Sequence, residues 1–281
     1  MKRIHTSTLI ASLVLCAAGV VLHAQGPVEK GECIEGDCRN GFGVKFYPDG
    51  RKYAGTFRNG MRHGHGTYTY ANGRCYEGNW ENDRRTGNGT MRFPNGERYT
   101  GEFVDGRFHG TGTYVYTDGE IYSGSWENGV RRGWGIQIFP NTMVYIGMWG
   151  NDERNGYGLL LLPNGDRYEG EFSHDMYNGC GVMTWPDGKH YEGEWKDGLP
   201  HGYGTLWFTE MSRYEGMFAE GLYHGFGTWV FPDGSSYTGM WKEGKRHGRG
   251  ILSDADGYVV LDGQWAGDRF IGNAMTILPQ E

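Results

Sequence analysis

Along most of the chain, apolar and polar residues alternate with a period of two, and glycine interrupts the alternation at regular points. In residues 63–80, HGHGTYTYANGRCYEGNW, Thr and Tyr alternate, and Tyr76, Gly78 and Trp80 then fall on one parity. A period of two places these three on one strand face and the intervening polar residues on the other. The pattern recurs: Tyr53, Tyr76, Tyr99, Tyr122, Tyr145, Tyr168, Tyr191, Tyr214 and Tyr237 are each 23 residues apart. Two residues after each tyrosine is a glycine, from Gly55 to Gly239. Two further on is an aromatic, from Phe57 to Trp241, and each unit later carries Gly-x-Gly, from Gly64/Gly66 to Gly248/Gly250. Such self-similarity is the signature of a repeat architecture.

Each unit predicts two short strands. The first is Tyr-x-Gly-x-Trp/Phe, its glycine leaving room for an aromatic from a neighbouring strand. A turn is expected at Gly60, Asp83 or Gly106, and the Gly-x-Gly is expected to reverse the chain through positive φ. The second strand is expected at 67–70 or 113–116. Asp49-Gly50, Asn72-Gly73, Asn95-Gly96 and Asp118-Gly119 then turn into the next unit. The expected fold is all-β: an elongated single antiparallel sheet of consecutive β-hairpins, roughly 10 Å per repeat and on the order of 90 Å over nine. Its stability is a sum of nearest-neighbour terms. The chain divides into a leader at 1–24, an N-terminal cap with a partial repeat at 25–52, nine repeats at 53–259 and a degenerate capping repeat at 260–281. In that last unit Asp262-Gly263-Gln264-Trp265 slips register by one residue.

Tyr-x-Gly-x-Trp/Phe, then an acidic residue or Asn before Gly, then His-Gly-x-Gly, resembles the MORN (membrane occupation and recognition nexus) repeat over about residues 40–270. The resemblance implies a twisted sheet of hairpins with a groove, and a role in scaffolding, dimerisation or membrane-associated assembly. Kinase or methyltransferase domains accompany such units elsewhere, but no such domain fits the residues outside the repeats.

Composition sharpens this picture. Glycine supplies 51 of 281 residues and aromatics 15%, a pairing that fits short strands and tight turns rather than a disordered linker. The first 24 residues differ: MKRIH is basic, TLIASLVLCAAGVVL is apolar, and Ala24 offers a cleavage point. This is the layout of a secretory signal peptide, and the run is short for the ~20 residues of a membrane span. Export to the periplasm, cell surface or medium is expected, with an uncleaved anchor as the alternative. A lipoprotein anchor at Cys16 is disfavoured by Leu15. Loss of Lys2 and Arg3 leaves 25 basic against 34 acidic residues, a formal charge of −9, which argues against a general nucleic-acid binder. Cys33 and Cys38 are spaced to close a small loop, as a disulfide or as two free thiols.

The sequence points to no catalytic residue, cofactor or metal. His63, His109, His201, His224 and His247 hold one position in successive units. At ~10 Å spacing they are too far apart to share a zinc ion. Glu169/Glu171 and Glu192/Glu194 lie opposite the aromatics as solubilising charges, without the burial that acid catalysis requires. Two features suggest partners. Ile136, Ile138, Ile146, Met148, Leu159 and Leu161 occupy positions that are polar elsewhere. They form either a dimer or protein-partner contact, or a place where the sheet curls and buries both faces. Arg62, Arg84, Arg85, Arg131, Arg132, Arg154, Lys245 and Arg246 precede the His-Gly position and are expected along one edge, where anionic lipid headgroups would meet them. The first reading is an exported, non-enzymatic scaffold for protein partners or self-association, and the second is peripheral binding to anionic membranes.

Overall fold

The computed structural model describes residues 31–272, so the leader, with Cys16 and Ala24, and the tail from 273 onward lie outside the described residues. Within them are 22 strands and no helix. They form one sheet in which each strand pairs antiparallel with its predecessor and successor in sequence. The sheet is thus a run of hairpins in chain order, as the alternation predicts.

The hairpins differ from expectation at one point. β3 (Lys52–Arg58) and β4 (Met61–Thr69) join through Asn59 and Gly60, with φ of 52° and 79°. Two consecutive positive φ values are those of the tight turn that matches strand twist. The chain has therefore already reversed before Gly64-His65-Gly66, which lies inside β4 as a bulge. Gly55 pairs with Gly66 and Phe57 with Arg62, so three residues of β4 face one of β3. Gly64 absorbs the excess at φ 63°.

The bulge is tied to the core. Between the two paired positions Thr56 is out of register, and its carbonyl accepts the Tyr53 hydroxyl at 3.0 Å. All nine repeat tyrosines donate in this way to the carbonyl three residues on, at 2.8–3.0 Å. To reach it, each ring lies across the facing glycine pair. A methyl on Gly78 or on Gly89 would come within 2.5 Å of the Tyr76 hydroxyl. The tyrosines are fully buried, and each packs edge-to-face on its own repeat's aromatic and on the next repeat's, at 4.9–5.6 Å between centroids. Each such pair contributes about 0.5–1.5 kcal/mol beyond burial, so the core is one unbroken aromatic row along a single face. The N-terminal end is closed by β1 (Glu32–Gly36) pairing β2 (Phe42–Phe46), with Cys33 and Cys38 disulfide-bonded beside it.

Two outcomes follow. Gly78→Ala forces the Tyr76 ring from its seat and costs about 2 kcal/mol. Gly96→Ala, with open space around it and φ 95°, costs only about 1 kcal/mol of backbone strain; urea unfolding midpoints of the two variants read the difference. Burial pushes the Tyr76, Tyr122 and Tyr237 hydroxyls up to about 12. Ionisation therefore favours the unfolded chain once pH exceeds the ordinary value of ~10. Base titration followed by tyrosinate absorbance and circular dichroism is expected to show buried tyrosines ionising only with unfolding, in a steep step between pH 10 and 12.

Candidate functional site

Strand alternation sends the residues one and three places after each tyrosine to the face opposite the aromatic row, called here the outer face. At mid-rod that face is apolar. The strands concerned are β9 (Ile121–Glu127), β10 (Val130–Ile138), β11 (Val144–Gly150), β12 (Glu153–Leu161) and β13 (Arg167–Ser173). Pairing registers align Ile121, Ile138, Val144 and Leu161 in one cross-strand row, and Ile136, Ile146 and Leu159 in the next. Trp134 opposite Met148 opens a third row, next to Tyr157 on the following strand. All six residues expected from sequence thus come together. The sheet does not curl over them: Ile136, Ile138 and Met148 remain 38%, 45% and 38% exposed, and only Ile146, Leu159 and Leu161 are half-buried by their neighbours.

Four members were missed from sequence. Ile121 and Val144 precede a repeat tyrosine, and Trp134 and Tyr157 are the middle residues of Gly-x-Gly, which lies in a strand rather than in the expected turn. Trp134 and Tyr157 are 52% and 53% exposed. Beyond Tyr157 lies an open cleft of about 380 Å³ between Tyr157 and Tyr203, floored by Gly170, Gly181 and Gly193 and rimmed by Glu169, Glu192 and Glu194. These carboxylates do more than solubilise. Glu194 accepts the Tyr203 backbone N–H at 3.0 Å, and Glu102 accepts that of Thr111 at 2.9 Å, satisfying donors that the bulge leaves out of the ladder. The Thr111 hydroxyl donates to the same Glu102 oxygen at 2.8 Å, and the backbone and hydroxyl bonds together hold the Glu102 carboxyl below its usual range.

The basic residues do not form one edge. Adjacent residues on a strand point to opposite faces, so Arg84 and Arg85 separate, as do Arg131 and Arg132, and Lys245 and Arg246. Arg62, Arg131, Arg154 and Arg246 turn inward, and their Nε atoms donate to Asp83, Asp152, Asp175 and Asp268 of the following repeat at 2.8, 3.1, 2.8 and 3.2 Å. Their guanidinium groups cover Trp80, Trp149, Phe172 and Trp265 at 4.3, 4.1, 5.5 and 4.4 Å. Arg85 also turns inward, to the Tyr70 hydroxyl and the Gly106 carbonyl. In other repeats the same seat holds a flat ring: Phe108 stacks on Tyr99 at 3.8 Å and Tyr177 on Tyr168 at 3.9 Å. Planar guanidinium and aromatic groups are interchangeable there, which accounts for the interruptions of the basic row. Only Arg84, Arg132 and Lys245 face outward, the first two paired with Asp105 and Glu127.

The histidines lie in the bulged strand segments, and His109 Nδ1 accepts the Asn128 N–H at 3.5 Å. Among the described residues no three His, Cys, Asp or Glu side chains gather as metal ligands. Cys75 and Cys180 are free thiols. Removing one inward carboxylate strands a half-buried arginine, so Asp152→Ala is expected to cost about 1–2 kcal/mol. Asp105→Ala, facing the outward Arg84, costs well under 1 kcal/mol; denaturant unfolding compares them.

Comparison with known proteins adds the following. The TCP10 domain of Danio rerio CPAP, solved in complex with a peptide of Danio rerio STIL, is 12% identical at a TM-score of 0.41, covering 84% of this chain and 98% of that one. The SAS-4 (dCPAP) TCP domain of Drosophila melanogaster, solved with a proline-rich motif of Ana2, is 16% identical at 0.36, covering 56% and 85%. No curated protein matches the chain. The MORN repeat model matches nine consecutive times, at residues 53–73, 76–98, 99–121, 122–144, 145–167, 168–190, 191–210, 214–236 and 237–257, and the chain belongs to the MORN repeat family.

Proposed function

We propose that this chain is an exported, non-catalytic protein-interaction scaffold that self-associates through the outer face at mid-rod. The observation that carries the reading is the contiguous apolar surface of Ile136, Ile138, Ile146, Met148, Leu159 and Leu161, widened by Ile121, Val144, Trp134 and Tyr157. Contiguous exposed apolar patches mark interaction sites, and a sheet face is a surface on which a second sheet packs. Strand spacing and three outward positions per strand give roughly 500 Å² on each copy, or about 1,000 Å² in all, at the lower bound of specific interfaces.

Charge favours a second copy as the occupant. Arg98 and Arg92 lie two and three strands beyond the patch on its N-terminal side, whereas Glu169, Glu171, Glu192 and Glu194 border its C-terminal side, where Arg167 offsets Glu169 alone. A copy turned end for end sets the arginines of one chain across from the glutamates of the other. Export rests on the leader-like residues 1–24. Binding to an anionic membrane is the second reading. Its support shrinks to Arg84, Arg132 and Lys245, since the other five side chains are engaged within the sheet.

Light scattering after size exclusion tests the proposal on residues 25–281. The expected result is a dimer for the natural sequence and a folded monomer for Ile138→Glu/Leu161→Glu. Two buried aliphatic contacts at about 1.5 kcal/mol each correspond to dimerisation weaker by on the order of 100-fold. Folded monomers for both proteins would sink self-association, and pelleting with anionic vesicles at low salt would then favour the lipid reading.

A further inference from the structure

One inward seat breaks a rule that the others keep. Where the seat holds arginine, as at Arg62, Arg131, Arg154 and Arg246, the turn of the next repeat supplies an aspartate. Where it holds Phe108, Tyr177, Pro200 or Tyr223, the turn supplies Gly129, Gly198, Gly221 or Gly244, whose N–H donates to the seat carbonyl at 2.9 Å. Arg85 has the arginine but meets Gly106, whose N–H donates to the Arg85 carbonyl at 3.0 Å. The turn there is Asp105-Gly106, and Asp105 goes instead to the outward Arg84 at 2.6 Å.

Arg85 is thus a half-buried cation without a counter-charge among the described residues. Its acceptors are neutral: the Tyr70 hydroxyl at 3.1 Å and the Gly106 carbonyl at 2.5 Å. Burial holds its guanidinium below an ordinary arginine, and neighbouring Arg74 pushes the same way. Arg74 has no ion pair among the described residues either. Its guanidinium lies against the rings of Tyr70 and Phe93 at 4.8 and 5.5 Å, and its buried Nε has no acceptor. Both arginines line an inner-face cleft of about 290 Å³ together with Met91, Phe93, Arg107 and Phe108, and no acidic residue lines it.

We propose that this cleft is a carboxylate-binding site, taking an aspartate or glutamate side chain of a protein partner into the place that Asp83, Asp152, Asp175 and Asp268 fill elsewhere in the rod. The repeat itself shows that a carboxylate suits this seat, because four equivalent arginines bind one. Here Arg85 donates to the incoming oxygens, the Arg74 guanidinium adds a second positive charge beside it, and Phe93 and Phe108 shield the pair from water, the setting in which charge-assisted hydrogen bonds are strong. The site lies on the inner face and is independent of the outer-face contact.

The geometry also supplies an internal competitor. A Cβ at Gly106 would lie 3.3 Å from Arg85 Nη2, at φ 80°, close to the 68° and 69° that Asp83 and Asp152 adopt at the equivalent turn. Gly106→Asp is therefore expected to fold, to gain thermal stability and to occupy the site. The test is titration of the purified chain with N-acetyl-aspartate amide, and separately with inorganic phosphate, following the arginine Nε–Hε signals by NMR. The expected result is a saturable shift of the Arg74 and Arg85 signals by the carboxylate probe, weakened at least about tenfold in Gly106→Asp and in Arg85→Gln. No saturable shift in the natural sequence, or unchanged binding in folded Gly106→Asp, overturns the proposal. Tighter binding of phosphate than of the carboxylate overturns the ligand assignment.

Discussion

A tyrosine ring lying across a pair of glycines, with its hydroxyl on a carbonyl that the bulge has freed, is the contact on which the rest of this structure depends. The ring reaches that carbonyl only if neither strand carries a side chain beneath it, so two glycines must face each other, as Gly55 and Gly66 do. The carbonyl is free only because β4 bulges at Gly64. Phenylalanine would fill the space but leave a polar backbone atom unsatisfied in the core, a penalty comparable to a lost hydrogen bond. Hence the invariance of tyrosine along the row, beside aromatics that alternate freely between Phe57, Trp80 and Phe103.

With every tyrosine pinned, the structural load falls on the inner face. The inner face must cover the aromatic row, and it does so with a ring or a guanidinium, matched to the residue of the next turn at every such seat but Arg85. Four arginines bring their aspartate from the following repeat, so these ion pairs couple neighbours rather than decorate a surface. The outer face has no such duty. It is free to vary along the rod, from threonine-rich near Thr67, Thr90 and Thr113, through aliphatic at Ile136 and Leu159, to acidic and aromatic near Glu169 and Tyr203. That separation lets a repetitive core carry a surface that is not repetitive.

The sequence by itself determined the period, the antiparallel hairpins and the inward face, because side-chain alternation and a 23-residue spacing are local properties of the chain. It also placed Ile136, Ile138, Ile146, Met148, Leu159 and Leu161 on one face, since parity along a strand needs no partner strand. Only the tertiary structure decided the rest. Whether Gly-x-Gly turns or bulges depends on where the preceding turn has already closed, a matter of register between two strands. That register carries Trp134 and Tyr157 into the patch and makes Arg84 and Arg85 strand residues rather than turn residues, so that alternation sends them to opposite faces. The pairing of Arg62 with Asp83 likewise spans two strands, and the isolation of Arg85 became visible only once Gly106 stood where an aspartate stands elsewhere. Period and parity act along one strand. Counter-charges and neighbours are set across strands, by hydrogen-bond registers that no linear pattern records.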